Sequence, residues 1–173
     1  MMKKLKFFSK FLRTLGVKDA AVAGIVRLNP SAVRFWFHTD DTYLGYIDEV
    51  CRELGYSLSM LLFSPDGEEI RVSSRCDVRS LISTLDISRE ELARRLGLHV
   101  TSVQHMVHKQ LGALMISRLH DIARVCGFSV SFQIMPAQQD ISVRHEGNRF
   151  VATIHLRPII IDSIDTKEEN GQV

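Results

Sequence analysis

The chain has few residues that cross-link or interrupt secondary structure: its 173 residues include three cysteines, four prolines and ten glycines. Cys51, Cys76 and Cys126 are odd in number and form no CxxC pair, which argues against a disulfide framework and a zinc ribbon. Cys51 and Cys126 fall inside apolar helical patterns, so we expect buried thiols there. The composition, 45% apolar and 24% charged, is that of a packed globular protein.

Long apolar runs are also missing. No stretch approaches the roughly 20 apolar residues that a membrane span needs. Lys6, Lys10 and Arg13 interrupt the basic N-terminal segment where a signal peptide would be apolar. We therefore expect a cytoplasmic protein that does not associate with membranes.

Motifs for catalysis and cofactor binding are absent from the sequence. It contains no GxSxG, HExxH, P-loop or GxGxxG pattern. His99, His105 and His108 lie close together, but no nearby cysteine or carboxylate completes a tetrahedral metal site. The sequence therefore predicts no enzyme activity, no metal and no cofactor.

Charge is unevenly distributed, although the overall balance is only +2. Residues 1–38 carry eight basic and one acidic side chain, whereas residues 39–80 carry four basic and nine acidic ones. A basic segment is typical of a solvated face, and it is also what a phosphate-facing surface requires.

The sequence contains two copies of one unit. Residues 11–38 match residues 81–108 in their apolar positions, and residues 47–63 match 119–135 after a two-residue insertion in the second copy. Each copy reads as several helices followed by alternating strands, so we predict an α+β fold that is mainly α. The predicted limits are 1–76 for the first copy with its β-hairpin, 77–162 for the second with its strands, and 163–173 for a polar, disordered tail.

The second copy has clear helix signals. Ser88 followed by Glu91 predicts a capping box, and Gly97 predicts the end of that helix in a left-handed conformation. A second helix begins near Val100, and its spacing predicts three inward side chains. These are Val103, Met106 and Val107. A third helix covers 116–125, a strand follows it, and 136–140 predicts a turn before strands at 141–146 and 149–158.

The segment SREELARRLGLHVTSVQHMVHKQ, continued by SRLHDIARVCGF, resembles the lambda-repressor-like family of helix-turn-helix DNA-binding domains, also called Cro/repressor or XRE. The resemblance covers residues 78–130 well and 9–60 less well. It implies that the helix after Gly97 enters the DNA major groove, with Arg89 facing phosphate and Val100, Thr101 and Gln104 near base edges. The DNA-binding residues that it implies in the second copy are Arg89, Val100, Thr101, Ser102, Gln104, His105, His108 and Lys109. Gln can present a paired donor and acceptor to adenine, and Arg94 and Arg95 would add phosphate attraction.

The first copy departs from this pattern. Arg27 replaces the glycine at the helix end, where a positive φ costs about 1 kcal/mol, so we predict a remodelled turn. Asn29 followed by Pro30 predicts the start of the next helix, with Asn29 as its cap. The outward residues Ser31, Arg34 and His38 are candidate DNA contacts. Two hypotheses remain open for the aromatic residues of this helix: Phe35 and Phe37 form a protein interface, or Arg34 reads guanine while Phe35 touches thymine methyl groups.

These patterns predict a sequence-specific, double-stranded DNA-binding transcription regulator. Strands of two chains would pair into a homodimer, or the two hairpins of one chain would pair into a pseudo-dimer, or the strands would only cover the helical core. The alternative is a protein-interaction module without enzyme activity, antitoxin-like or an anti-activator, that binds its partner through the first copy.

Overall fold

The computed structural model describes residues 3–146 and 149–158, with side chains as far as residue 137. The chain divides after Ile134 into two compact units, which are described separately. The predicted tail, 163–173, lies outside the described residues. The two sequence copies, predicted to cover 1–76 and 77–162, are not the same as these two units, and their limits stay a prediction.

The first unit holds the described helices. They are α1 (Lys6–Thr14), α2 (Asp19–Val26), α3 (Pro30–Thr39), α4 (Leu44–Glu53), α5 (Val78–Thr84), α6 (Arg89–Leu96), α7 (Val100–Val107) and α8 (Ile116–Val125), with a short 3-10 helix at Leu111–Ala113. The strands are β1 (Tyr56–Phe63), β2 (Glu69–Ser73), the long β3 (Ser129–Glu146), which begins in the first unit, and β4 (Arg149–Pro158) in the second. The predicted class, α+β and mainly helical, is confirmed.

In the first unit, β1 lies between β2 and the first part of β3. β1 and β2 pair antiparallel from Ser59 opposite Ser73 to Phe63 opposite Glu69, so the predicted hairpin is confirmed. In the second unit, β3 and β4 pair antiparallel. The predicted turn at 136–140 is wrong, because β3 runs through it without a break. Pro136 immediately precedes the first residue paired with β4, so its missing N–H costs this ladder no hydrogen bond.

The same order of elements occurs twice, four helices and then a strand, in α1–α4 with β1 and in α5–α8 with β3. Residues at matched positions share left-handed backbone conformations. Arg27 has a φ of 56° and Gly97 a φ of 65°. The predicted remodelling of the first turn is therefore wrong: the arginine keeps the conformation that glycine adopts in the other copy, at a cost of about 1 kcal/mol.

The two copies meet through a reciprocal pair of backbone hydrogen bonds. Leu44 N–H donates to the Leu114 carbonyl at 3.0 Å, and Ile116 N–H donates to the Thr42 carbonyl at 2.9 Å. Leu44 matches Ile116 and Thr42 matches Leu114 in the sequence comparison, so each copy makes the same bond to the other. Such mutual contacts are those of a two-fold interface.

One hydrophobic core serves both copies. Trp36 on α3 and Met106 on α7 are buried at matched positions, and the burial of Met106 agrees with the prediction. The expectation of a buried thiol is confirmed for Cys51, whose side chain is inaccessible to solvent. Burial and the nearby Asp48 carboxylate raise its pKa to about 12. For Cys126 the expectation of a buried thiol is wrong: it follows the last residue of α8 and is only half-buried, although this partial burial still raises its pKa. Within the described residues, no helix combines the length and the apolar character needed to cross a membrane.

Candidate nucleic-acid interface

Two consecutive helices of the second copy, α6 and α7, are joined by a tight turn. The Ser88 side chain accepts a hydrogen bond from Glu91 N–H at 3.1 Å, which confirms Ser88 as the cap of α6. The second half of the predicted capping box is wrong, because the Glu91 carboxylate binds arginines instead. Gly97 ends α6 in the predicted left-handed conformation. His99 starts α7: its Nδ1 accepts from Thr101 N–H at 3.4 Å and lies 2.7 Å from the Thr101 hydroxyl. The sequence analysis gave His99 no such role, because histidine is not among the common capping residues.

The face of α7 that turns away from the core is polar. The three inward residues, Val103, Met106 and Val107, are buried as predicted. Val100 is half-buried against the core, which limits its reach toward a ligand. The remaining candidates on α7 and just beyond it are exposed; they are Thr101, Ser102, Gln104, His105, His108 and Lys109. The structure therefore brings these six side chains together on one accessible helix surface.

The arginines of α6 are less available for contact with DNA phosphates than the sequence suggested, because they are engaged within the protein. Glu91 accepts hydrogen bonds from Arg94 Nε at 2.7 Å and from Arg95 Nε at 2.6 Å. These bonds lower the pKa of the Glu91 carboxyl to about 2. Arg95 also donates to the Val125 carbonyl at 2.9 Å. Arg89, the predicted phosphate contact, is half-buried at the start of α6.

We expect the substitution Glu91→Gln to strengthen binding to DNA of any sequence, because it releases Arg94 and Arg95 from the carboxylate. The log-log slope of affinity against salt should steepen by up to about 0.9 for each arginine that then reaches a phosphate. Fluorescence anisotropy at several salt concentrations measures this. An unchanged slope would show that these arginines do not face DNA.

The same substitution has a pH signature. A lowered pKa favours the ionised form in the folded state, so the contribution of Glu91 to stability is complete above its ordinary pKa of about 4.5 and fades as the pH falls toward 2. The difference in melting temperature between the natural protein and Glu91→Gln should therefore be present at pH 7 and absent near pH 2. Because the carboxylate is exposed, the difference should be small.

The first copy presents α3 in the place of α7. Asn29 is the N-cap residue of α3 and Pro30 occupies its first position, as predicted, but the Asn29 side chain makes no capping hydrogen bond. Ser31, Arg34 and His38 are exposed, like their counterparts on α7.

The two phenylalanines of α3 differ. Phe35 is 62% exposed, whereas Phe37 is half-buried and stacks on the ring of Phe8 with 6.1 Å between centroids. Of the two residues suggested as a protein interface, Phe35 alone projects freely, while Phe37 packs within its own copy.

A basic groove that was not predicted from the sequence lies along α1. It occupies about 570 Å³ and is lined by Lys3, Leu5, Lys6, Ser9, Lys10, Arg13, Phe37 and Asp40. Two signals pointed to it: the excess of basic residues in 1–38, and the helical spacing of Lys6, Lys10 and Arg13.

No family model, curated protein or solved structure matches this chain. The candidate interface therefore depends on its own geometry. Among the residues that the structure describes, no cluster of three or more His, Cys, Asp or Glu side chains could hold a metal ion.

Proposed function

We propose that the protein is a cytoplasmic, sequence-specific regulator of transcription that binds double-stranded DNA through two tandem lambda-repressor-like helix-turn-helix bundles. The observation that carries this proposal is α7: a helix held by the Gly97 turn, with Val103, Met106 and Val107 in the core, four polar side chains exposed on its outer surface, and His108 and Lys109 exposed just beyond its end. A helix of this kind fits the major groove, where donors and acceptors on base edges can be read.

The residue types on α7 suit that role. Gln104 can form a paired hydrogen bond with adenine, and Ser102 can bond to any base. Lys109, just past the end of α7, would contact phosphate. The Thr101 hydroxyl lies next to His99, so we expect it to offer its methyl group to thymine rather than a free hydroxyl to a base.

The reciprocal bonds between the copies support a pseudo-dimer within one chain. The Leu44–Leu114 and Ile116–Thr42 bonds give each copy the same contacts that a subunit of a symmetric dimer makes with its partner. In this proposal α3 binds a second DNA half-site through Arg34, Ser31 and His38. Because α3 and α7 differ at nearly every outward position, the two half-sites would differ in sequence.

The test begins with duplexes selected from a random pool for binding to the protein. Fluorescence anisotropy then compares a selected duplex with a scrambled one at physiological salt. We expect the protein to prefer the selected duplex by about a hundredfold or more. Gln104→Ala should reduce this preference by a factor of roughly 5 to 150, the equivalent of about 1–3 kcal/mol.

Gln110→Ala is the matched control, because Gln110 is also exposed but lies beyond α7. It should leave the preference unchanged. Equal affinity of the natural protein for selected and scrambled duplexes would refute the proposal.

Phe35 favours a second candidate function, a protein-interaction module of the antitoxin or anti-activator kind. A large aromatic side chain that is 62% exposed is the type of residue that anchors protein interfaces. Phe35→Ala separates the two functions. If Phe35 touches thymine methyl groups, the substitution weakens binding to the selected duplex. If the protein is an interaction module, the substitution abolishes binding of the protein partner and leaves DNA affinity unchanged.

A further inference from the structure

The helix α1 has two distinct faces. Phe8 and Leu12 are fully buried, and Phe7 and Phe11 are half-buried against the core. On the opposite side, Lys6, Lys10 and Arg13 are exposed. The cationic side therefore plays no part in packing the helix.

These cations and Lys3 line the groove of about 570 Å³, which we call the α1 groove. Among the described residues, none of the four forms an ion pair within 4.0 Å. Asp40, the acidic residue of the groove, is already engaged: its carboxylate accepts the backbone N–H groups of Lys4 at 2.6 Å and Leu5 at 2.9 Å. The groove therefore carries four cations against one carboxylate, a clear excess of positive charge.

The second copy serves as an internal control for what the fold requires. At the positions of α5 and its approach that match Lys6, Lys10 and Arg13, it carries an uncharged side chain each time. These are Cys76, Ser80 and Ser83. Since α5 occupies the same place without these cations, the positive charge on α1 is not a requirement of folding.

We infer that the α1 groove binds the phosphate backbone of duplex DNA. This rests on the proposed function and adds a contact outside the two helix-turn-helix motifs. From Lys6 to Arg13 the helix rises about 10 Å, comparable to three steps of about 3.4 Å along one DNA strand. A row of cations at this spacing matches a linear polyanion.

The packing of α1 argues against a lipid surface as the ligand. Helices that bind in the membrane interface insert an apolar face between the lipids. In α1 that face is already occupied, because Phe7 stacks on Phe132 with 5.1 Å between centroids and Phe11 meets Tyr56 edge-on at 4.9 Å. The exposed side of α1 presents a row of cations and no free apolar helix face, which suits phosphate.

The test combines Lys6→Gln, Lys10→Gln and Arg13→Gln in the full chain. Anisotropy titrations at several salt concentrations use a selected and a scrambled duplex. We expect the log-log salt slope to become shallower by about 2 to 3, that is, about 0.9 for each lost phosphate contact. Affinity should fall by about tenfold or more on both duplexes, and the preference between them should stay within about twofold.

A matched control removes the same charge from exposed positions outside α1 and α5, with Arg52→Gln, Arg71→Gln and Arg124→Gln. Its slope should stay near that of the natural protein. Far-UV circular dichroism and thermal melting establish that both triple variants are folded.

The outcomes separate this inference from the proposed function. A natural protein that prefers its selected duplex, together with an unchanged slope in the α1 variant, overturns the inference and leaves the function standing. If the natural protein binds all duplexes equally and the α1 variant has a shallower salt slope, the proposed function is refuted and the inference about the α1 groove stands. The inference is also overturned if the salt slope of the control variant becomes as shallow as that of the α1 variant. Loss of the preference for the selected duplex in the α1 variant would overturn it too. So would loss of binding to anionic phospholipid vesicles while binding to DNA is unchanged.

Discussion

Replacing Gly45 by alanine should lower the free energy of unfolding by about 1–3 kcal/mol, although alanine in a helix is normally more stable than glycine by roughly 0.5–1 kcal/mol. A Cβ atom added at Gly45 would lie 2.9 Å from the Gly112 carbonyl oxygen and 3.3 Å from its carbonyl carbon. Both belong to the backbone of the other copy, so relief of the clash has to move the copies apart. The adjacent bond between Leu44 and Leu114 would then lengthen. Urea unfolding measures the loss.

Gly24→Ala is the control for this prediction. Gly24 is an exposed residue inside α2, and an added Cβ would meet no atom within 4 Å. Here the ordinary preference for alanine should hold, with a gain of roughly 0.5–1 kcal/mol. The two glycine substitutions are therefore expected to act in opposite directions. Equal stabilisation by both would contradict the close approach of the two copies.

Phe8→Ala should cost about 3–5 kcal/mol of stability, the usual loss for a fully buried phenylalanine. The Phe8 ring is inaccessible to solvent and lies 6.4 Å from the ring of Phe11 and 6.1 Å from that of Phe37. Its removal leaves a cavity under α1, between that helix and α3. Chemical denaturation monitored by circular dichroism gives the size of the effect, with a constant m-value as the check on two-state behaviour.

Phe35→Ala provides the comparison, since it removes the same side chain from a position that is 62% exposed. We expect a change within about 0.5 kcal/mol. If both substitutions were equally mild, the packing of α1 against the core would be wrong, and with it the orientation of the basic side chains on the α1 groove.

The parts of the structure that could be predicted from the sequence are those fixed by local chemistry. Ser88 caps α6 because its side chain reaches an N–H three residues on, and Gly97 ends α6 because it adopts a positive φ without strain. The spacing of Val103, Met106 and Val107 determines which face of α7 is buried. These signals act over a few residues, so the sequence alone contains them.

Other features depend on contacts that no local pattern contains. Arg27 adopts the left-handed conformation because the fold of the copy imposes it, against the preference of the residue. Glu91 binds two arginines instead of completing the capping box, a choice decided by competition between neighbours. Pro136 lies inside a long strand because the ladder with β4 begins one residue later. In each case propensity was overridden by the surrounding structure.

The reciprocal contact between the copies has two consequences: the copies cannot dissociate when the protein is diluted, and each copy can acquire its own substitutions. Two separate subunits joined by these bonds would come apart as their concentration fell, whereas here both sides belong to one chain and cannot separate. A substitution in a homodimer appears on both sides of its axis. In this chain it appears once, which is how arginine can stand at position 27 while glycine stands at position 97, and how three cations on one copy can match three uncharged residues on the other.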